Sequence, residues 1–335
     1  LCVSYQQFGE LYFELGYNHE AEKSFGTSLS IIEALVKRTP NNTIYQKNLG
    51  CSHYKLGELF LRMENIDKAK QAFKASLNVR KALVSRDVGN TDYQLVLGDT
   101  HSRLGEVYLC LRKNDKAQEA FRLSLEINEA LAKQVPDKLE FQYKFLTSYQ
   151  KIGEFYFSLG DKSKALQTFE TSVRVSNLLI QRKPDNTRLK YSLCVSQQKL
   201  GDLYVSLIDF HKAERAFRSS IITARAIVQR KPDCIDYQYW LGVSHNKLGD
   251  LYLAHYSDKA PPEFEASIEI NKALVKRSPD NTEYQQSLSV SVNGLGIVYE
   301  RLRSIGRYRF SNEEFSEAQK AFEASLEINE LVPQG

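Results

Sequence analysis

The chain has 335 residues, with 45 Lys plus Arg against 41 Asp plus Glu and a formal net charge of +4. A charge this small for the length argues against nucleic acid or an anionic membrane surface as a partner. No apolar run approaches the roughly 20 residues that span a bilayer, and the five cysteines form no CxxC pair. We therefore expect a cytoplasmic protein without disulfides.

A pattern that begins at Leu1 returns along the whole chain. The first five intervals between its marker glycines are 48 residues and the last is 47: Gly9, Gly57, Gly105, Gly153, Gly201, Gly249 and Gly296. A phenylalanine follows most of them by sixteen residues, at Phe25, Phe73, Phe121, Phe169 and Phe217, whereas Phe264 is one residue early and Phe322 ten late. A fixed period predicts a repeat protein in which each unit packs on its neighbours.

The period predicts one solenoid over residues 1–335, and because Leu1 already lies inside a repeat we expect a segment of a longer protein. The approximate repeats are 1–41, 42–89, 90–137, 138–185, 186–233, 234–280 and 281–335.

Residues 42–87 show what each repeat contains. Thr43 with Gln46 forms a possible capping box, repeated by Thr91 with Gln94 and by Thr282 with Gln285. Apolar or ring residues then follow at helical spacing, at Tyr45, Leu49, His53, Leu56, Phe60 and Met63. This pattern predicts a first helix of about 20 residues.

A second helix is predicted from Asn65 to about Arg86. Good N-cap residues recur at its start, at Asn65, Asp161, Asp209 and Ser257. Pairs of basic residues recur at its end, among them Lys37-Arg38 and Arg230-Lys231. These pairs are compatible with a polyanion site, but cations also stabilise a helix C-terminus, which is the simpler interpretation.

The repeats resemble the tetratricopeptide repeat family. Its aromatic, Leu-Gly, Ala, Phe and small-residue positions are matched by Leu56-Gly57, Phe60, Ala69, Phe73 and Ser76, and again in the other repeats. The resemblance implies an all-α, right-handed alpha-alpha superhelix of about seven helix-turn-helix repeats that binds protein partners. The period is 48 residues instead of the family's 34, so the helices must be longer, as in extended variants such as kinesin light chain.

Two repeats break the pattern. Pro261-Pro262 lies near the start of the sixth second helix, which predicts a shifted or shortened helix. The seventh repeat has about ten extra residues around Ser304 to Glu313, in a basic and aromatic stretch. That insertion is either a docking patch or a loop or extra helical turn.

The sequence contains no recognisable catalytic constellation. His53, His101 and His245 occupy one repeat position, where the family has a packing aromatic, and adjacent helix axes are about 8–10 Å apart. A shared zinc ion needs nitrogen ligands at about 2 Å, so we predict core histidines. No phosphate-binding glycine loop is present either. We expect no enzyme activity, cofactor or metal.

The resemblance implies a binding surface on the concave face lined by the first helices. Carboxamides can hold a peptide backbone, tyrosines supply amphipathic area, and a row of carboxylates favours basic side chains. Trp240 is either an exposed hot spot or a single exposed aromatic. The predicted peptide-binding residues are Tyr143, Gln150, Glu154, Tyr191, Gln198, Asp202, Tyr239, Trp240, Asn246 and Asp250.

The acids that recur on this face, among them Glu154, Asp202 and Asp250, have a second explanation. A lysine or arginine stands three residues before most of them, at Lys55, Arg103, Lys151, Lys199 and Lys247, and such pairs interact within one helix. Ligand contact and helix-surface pairing both remain open. The family's carboxylate clamp needs Lys and Asn where this chain has acids, which argues against the chaperone tails that it binds.

The leading hypothesis is a scaffold that holds an extended peptide or helix of a partner protein on its concave face. The alternatives are a sensor or regulatory arm of a larger signalling protein, and self-assembly by end-to-end stacking. We expect a protein or peptide partner, with basic side chains favoured, and neither nucleic acid nor membrane.

Overall fold

The computed structural model describes residues 1–279 and 281–304. These residues form thirteen α-helices, one short 3-10 helix and no β-strand. None of the described helices is long and apolar enough to cross a membrane. The chain divides into two compact units, one ending at Leu159 and the other beginning at Gly160.

Unit 1 contains seven helices, in which each helix packs on the next one along the chain. Odd-numbered helices are the first helices of the repeats and even-numbered helices are the second helices. Their bounds are α1 Cys2–Glu14, α2 Asn18–Arg38, α3 Thr43–Arg62, α4 Ile66–Arg86, α5 Thr91–Cys110, α6 Asn114–Gln134 and α7 Leu139–Ser158.

Unit 2 continues the alternation with six helices that pack in the same consecutive way. They are α8 Lys162–Arg182, α9 Thr187–Ser206, α10 Phe210–Arg230, α11 Ile235–His255, α12 Pro261–Arg277 and α13 Thr282–Ser304. The predicted all-α architecture of helix pairs is confirmed. The second helix predicted for the seventh repeat, with Phe322, and the insertion beyond Ser304 lie outside the described residues.

The capping boxes predicted at the first helices are wrong by one residue. Asn42 is the N-cap of α3 and accepts hydrogen bonds from the amides of Ile44 and Tyr45. Gln46 instead donates to the carbonyl of Pro40 at 3.0 Å, so it fastens the preceding loop. An asparagine N-cap and a glutamine bonded back to the loop recur together at Asn90 with Gln94 and at Asn281 with Gln285.

The caps predicted for the second helices are confirmed at Asn65, Asp161 and Asp209, each of which accepts from the amide three residues later. The cap predicted at Ser257 is wrong. Ser257 begins the 3-10 helix Ser257–Lys259, and α12 starts only at Pro261. The proline pair therefore shortens this helix to 17 residues, against 21 in α10, because a proline fits a first turn but not a helix interior.

The marker glycines make room for the recurring phenylalanines of their own repeats. A Cβ atom added to Gly57, Gly105 or Gly201 would stand 2.7, 2.7 or 2.4 Å from the ring of the phenylalanine sixteen residues later. The rings of Phe73, Phe121 and Phe217 are 0 to 3 % exposed. A mid-helix glycine costs about 1 kcal/mol against alanine, and the buried ring offsets that cost.

Buried serines join the second helices α10 and α12 to both of their neighbours. Ser220 donates to the carbonyl of Cys194 on α9, and its hydroxyl lies 2.9 Å from that of Ser244 on α11. Ser267 repeats the arrangement with Gly242 and Ser291, at 3.0 Å in each case. These serines are fully buried, so small side chains let the helices approach while the hydroxyls remain satisfied.

The turn between the two helices of a repeat needs one residue in the left-handed region. Glycine supplies it at Gly16 and Gly160, with φ of 82° and 77°. The same repeat position holds Glu64, Arg112 and Ile208, with φ of 57°, 54° and 60°. Side chains disfavour this region, and a β-branched one does so most strongly, so Ile208 is the most strained of the three.

Candidate functional site

The first helices of unit 1 carry a ladder of alternating charges. Lys55 lies 3.4 Å from both Glu10 and Glu58, and Arg103 lies 3.0 Å from Glu58 and 2.9 Å from Glu106. Each cation thus bonds an acid on its own helix and an acid on the preceding first helix. The pairing within one helix matches one of the two explanations left open by the sequence, and the pairing between repeats was not foreseen.

Glu106, like Glu58, is an enclosed acid of this ladder. Its two oxygens lie 2.9 Å from Arg103 and 2.9 Å from Lys151. Burial raises the pKa of Glu106, but the two cations outweigh burial, so the net pKa lies below its usual value. The carboxylate of Glu106 is therefore neutralised from within the protein.

A cleft of about 270 Å³ opens beside this ladder. We call it the unit 1 cleft. It lies between α3, α5, α6 and α7, and its lining is polar: Tyr54, Asp99, Ser102, Arg103, Glu106, Ser124, Asn128, Lys144, Thr147, Ser148 and Lys151. Both oxygens of Asp99 lie 2.8 Å from the Lys144 ammonium. The predicted residues Tyr143, Gln150 and Glu154 also lie on α7 and are half-buried, but none of them lines this cleft.

A buried arginine stands behind the cleft. Arg80, from α4, is 6 % exposed, and its guanidinium stacks on the ring of Tyr54 at 4.5 Å. One of its nitrogens donates at 2.6 Å to both the Val96 carbonyl and the Thr100 hydroxyl. No carboxylate of the described residues forms an ion pair with Arg80, so this charge is held by neutral groups.

The first helices of unit 2 carry a cluster of aromatic rings in addition to charged residues. Trp240 meets Tyr191 and Tyr239 edge-on, with centroid distances of 5.7 and 5.9 Å. Tyr237 lies 6.0 Å from Tyr191, and Tyr284 lies 5.3 Å from Tyr239. We call these five residues the unit 2 aromatic surface. All except Tyr284 are half-buried, so three predicted residues meet on adjacent repeats and keep accessible ring area.

Two predicted carboxamides of unit 2 lie beneath the surface. Gln198 is 3 % exposed and donates to the Ser244 hydroxyl at 2.6 Å. Asn246 is 7 % exposed, accepts from Ser291 at 2.7 Å and donates toward Ser287. Both amides are used in helix packing, which leaves them less able to hold a peptide than the sequence suggested.

The two predicted acids of unit 2 differ from each other. Asp202 lies 3.0 Å from Lys247, in the arrangement of the unit 1 ladder. Asp250 is exposed and forms no ion pair among the described residues, since the residue equivalent to Lys247 in the next repeat is Gly294. Partial burial raises the pKa of Asp250, Lys247 lowers it and Asp202 raises it, and the net pKa lies above its usual value.

Asp250 and Asp202 border a groove of about 190 Å³, whose walls include the apolar Val205, Leu251 and Ala254 and the basic Lys247 and His255. A carboxylate beside apolar walls suits a long basic side chain, whose stem is aliphatic and whose head is charged.

The three histidines are separate in the structure. His101 and His245 are each 5 % exposed, and His53 is half-buried. Burial, reinforced by Lys81 and opposed by Glu119, lowers the pKa of His101 to about 4. No cluster of three or more potential metal ligands occurs in the described part of the chain.

Sequence reasoning missed two features of these surfaces. The Ser/Thr position that recurs at Ser52, Thr100, Ser148, Ser196 and Ser244 was a visible signal for the buried serine contacts. Arg80 could have been noticed because its repeat equivalents Asn128, Ser176 and Ala224 are uncharged. Its insertion beside Tyr54 depends on helix packing and has no local signature.

Comparisons with known proteins agree with this architecture. The family model described as tetratricopeptide repeat matches residues 3–34, 52–82, 98–131 and 146–177. Comparison with curated proteins finds no match.

Solved structures of similar fold include BtubC from P. vanneervenii, at 20 % identity and a TM-score of 0.60, covering 81 % of this chain and 93 % of that one. The apo form of RapI is similar at 14 % identity and a TM-score of 0.55, covering 92 % and 99 %. The nuclear import adaptor Nro1 of S. pombe is similar at 11 % identity and a TM-score of 0.52, covering 86 % and 97 %. These likenesses show the fold alone.

Proposed function

Because the chain belongs to the tetratricopeptide repeat family, we propose that it is a protein-interaction scaffold that holds an extended peptide or helix of a partner against its first helices. The family and its structural neighbours point to a non-enzymatic protein. The observation that carries the proposal is the unit 2 aromatic surface. Tyrosine and tryptophan are enriched at binding hot spots because they offer large, rigid contact area together with a polar group.

The proposal is tested with the single tryptophan of the chain. Peptides selected from a random library by display on the whole protein are titrated while the Trp240 emission is recorded. We expect bound peptides to shift this emission, and Tyr191→Ala to weaken binding by about tenfold, since it removes one ring from the surface. Tyr93→Ala, a half-buried tyrosine of unit 1, is the matched control. Selected peptides that bind the Tyr191→Ala variant as tightly as the native protein would contradict the proposal.

The preference for basic side chains rests on Asp250. This acid forms no ion pair among the described residues and faces a groove with apolar walls, so a lysine or arginine of the partner would supply the cation that Gly294 does not. Asp250→Asn should weaken peptides that carry a basic residue and reduce the salt dependence of their binding. Glu106→Gln is the control, because that acid is already bonded to Arg103 and Lys151. Equal binding of basic and neutral peptides would exclude the preference.

A further inference from the structure

The carboxylate acceptors in the unit 1 cleft are already used, whereas the buried amide oxygen of Asn128 has no hydrogen-bond partner among the described residues. Glu106 accepts from Arg103 through one oxygen and from Lys151 through the other. Both oxygens of Asp99 accept from Lys144. The hydroxyls of Thr147 and Ser148 donate to main-chain carbonyls of their own helix, and the Asn128 amide donates to Ser148 at 2.8 Å. Every carboxylate oxygen of the lining therefore has a cationic donor.

Donors, by contrast, remain available. Lys151 makes one bond with an ammonium that carries three N–H groups, and Lys144 bonds a single carboxylate. The Ser102 hydroxyl has no hydrogen-bond partner in the described ranges 1–279 and 281–304. Tyr54 accepts from Arg103 at 3.4 Å, and its own proton has no acceptor among the same residues. Burial, followed by the field of Glu58, raises the pKa of Tyr54 to about 12, so this proton stays in place at neutral pH.

The charges of the cleft are also unequal. Three cations, Arg103, Lys144 and Lys151, face two carboxylates, Asp99 and Glu106. Behind the lining, Glu58 bonds Arg103, and the buried Arg80 stands against Tyr54 without a carboxylate partner within the described residues. These two outer charges offset each other, so the surplus of one positive charge remains.

We propose that the unit 1 cleft binds an oxyanion carried by a side chain of the partner protein, in the form of an aspartate or glutamate carboxylate or a phosphate. Lys144 and Lys151 stand seven residues apart on one face of α7 and would bond the oxyanion together, with Ser102 and Tyr54 donating from the opposite wall. A volume of about 270 Å³ accommodates one side-chain head but not a folded segment. This inference rests on the proposed scaffold function and extends it, because unit 1 would select acidic groups where the groove of unit 2 selects basic ones.

The test uses the full chain and three peptides that differ at one central position, which is phosphoserine, aspartate or serine. Isothermal titration calorimetry should show the phosphoserine or the aspartate peptide binding at least about tenfold more tightly than the serine peptide, in line with charge-assisted hydrogen bonding. Comparing the affinities of the phosphoserine and aspartate peptides shows whether the site prefers a phosphate or a carboxylate. Inorganic phosphate alone should compete weakly.

Substitutions in the cleft test whether its residues cause the preference for charged peptides. Lys144→Gln combined with Lys151→Gln should remove the preference for the charged peptides, and Ser102→Ala should reduce it by a smaller factor. Lys247→Gln is the matched control, because Lys247 occupies the repeat position of Lys151 but lies in unit 2. Circular dichroism and urea midpoints verify that each variant is folded.

The two proposals fail in different ways. Equal affinity for all three peptides, or a preference that survives the double lysine variant, overturns the oxyanion site. Peptides that still shift the Trp240 emission in that case leave the scaffold function in place. A preference that Lys247→Gln removes as fully as the double variant does also overturns the site, since it would locate the charge readout in unit 2.

Discussion

The first helices of unit 1 and of unit 2 carry cations and acids at the same repeat positions, and those of unit 2 add a cluster of aromatic rings. In unit 1, Lys55 and Arg103 link acids of successive repeats. In unit 2, Lys247 and Asp202 form a pair of the same kind, and aromatic rings cluster around Trp240. The packing of helices is alike in both units, with glycine under phenylalanine and serine against serine. The difference shows that the period specifies where a side chain stands, whereas the residue type specifies what the position can bind.

The largest expected effect concerns His101 in unit 1. Because its pKa in the folded protein is about 4 and that of an unfolded histidine is about 6.5, the unfolded chain binds the proton first. Stability is thus complete above about pH 6.5 and falls as the pH drops toward 4, by up to about 3 kcal/mol. His101→Gln, which copies Gln197 of the same repeat position, should flatten urea midpoints measured across this window. An unchanged pH dependence would show that His101 is protonated in the folded state.

The second prediction tests whether the packing of the two units is equivalent. Gly105→Ala in unit 1 and Gly201→Ala in unit 2 each bring a Cβ atom within 2.7 and 2.4 Å of a buried ring, so each should lower the free energy of unfolding by about 1–3 kcal/mol. Gly26→Ala is the control, since a Cβ there meets nothing within 4 Å and should stabilise α2 by about 0.5–1 kcal/mol. Denaturant unfolding measures all three. A large loss in only one unit would disprove the equivalence.

The third prediction compares one acid from each unit. The pKa of Glu106 is lowered in the folded protein, so its contribution is present above about pH 4.3 and is lost as the pH falls through the folded pKa. Glu106→Gln should cost about 1 kcal/mol at neutral pH, and less in high salt. The pKa of Asp250 is raised, which means that its ionised form disfavours the folded state. Asp250→Asn should therefore not lower the free energy of unfolding. Chemical unfolding at pH 7 distinguishes them, and equal losses would refute the assignment.

The smallest effect concerns the turn residue. Ile208 has φ of 60° where Gly16 and Gly160 stand in other repeats, so Ile208→Gly should stabilise unit 2 by about 1 kcal/mol. Glu64→Gly at the same position of unit 1 should gain less, because glutamate is not β-branched. Thermal unfolding of both variants measures the difference. A loss of stability on Ile208→Gly would show that its 74 % exposed side chain makes a contribution that geometry does not reveal.

The fold was predictable from the sequence because its determinants recur. Gly57, Phe73 and their copies mark the helix pairs, and Pro261-Pro262 predicts the shortened α12. The N-cap of α3 was placed one residue late, since Thr43 and Asn42 are both good caps and only the backbone distinguishes them.

The binding surface was less predictable. Tyr191 and Trp240 come from different repeats, and their meeting depends on how α9 packs beside α11. Gln198 and Asn246 have the composition of binding residues, but their burial follows from the serine contacts beneath them. Sequence position alone does not separate a carboxamide that faces solvent from one that fills a helix crossing.

The cations of unit 1 also bear on how such an array changes length. Lys55, Arg103 and Lys151 each bond an acid 45 residues earlier, and the acids recur every 48 residues. When one 48-residue block of this unit is removed or duplicated, each cation still lies beside an equivalent acid. No charge is therefore left without a partner. The segment around Trp240 lacks this interchangeability, because its tryptophan has no copy elsewhere in the chain. The repeat spacing therefore carries the charge pairs from one repeat to the next, but it does not reproduce the aromatic cluster around Trp240.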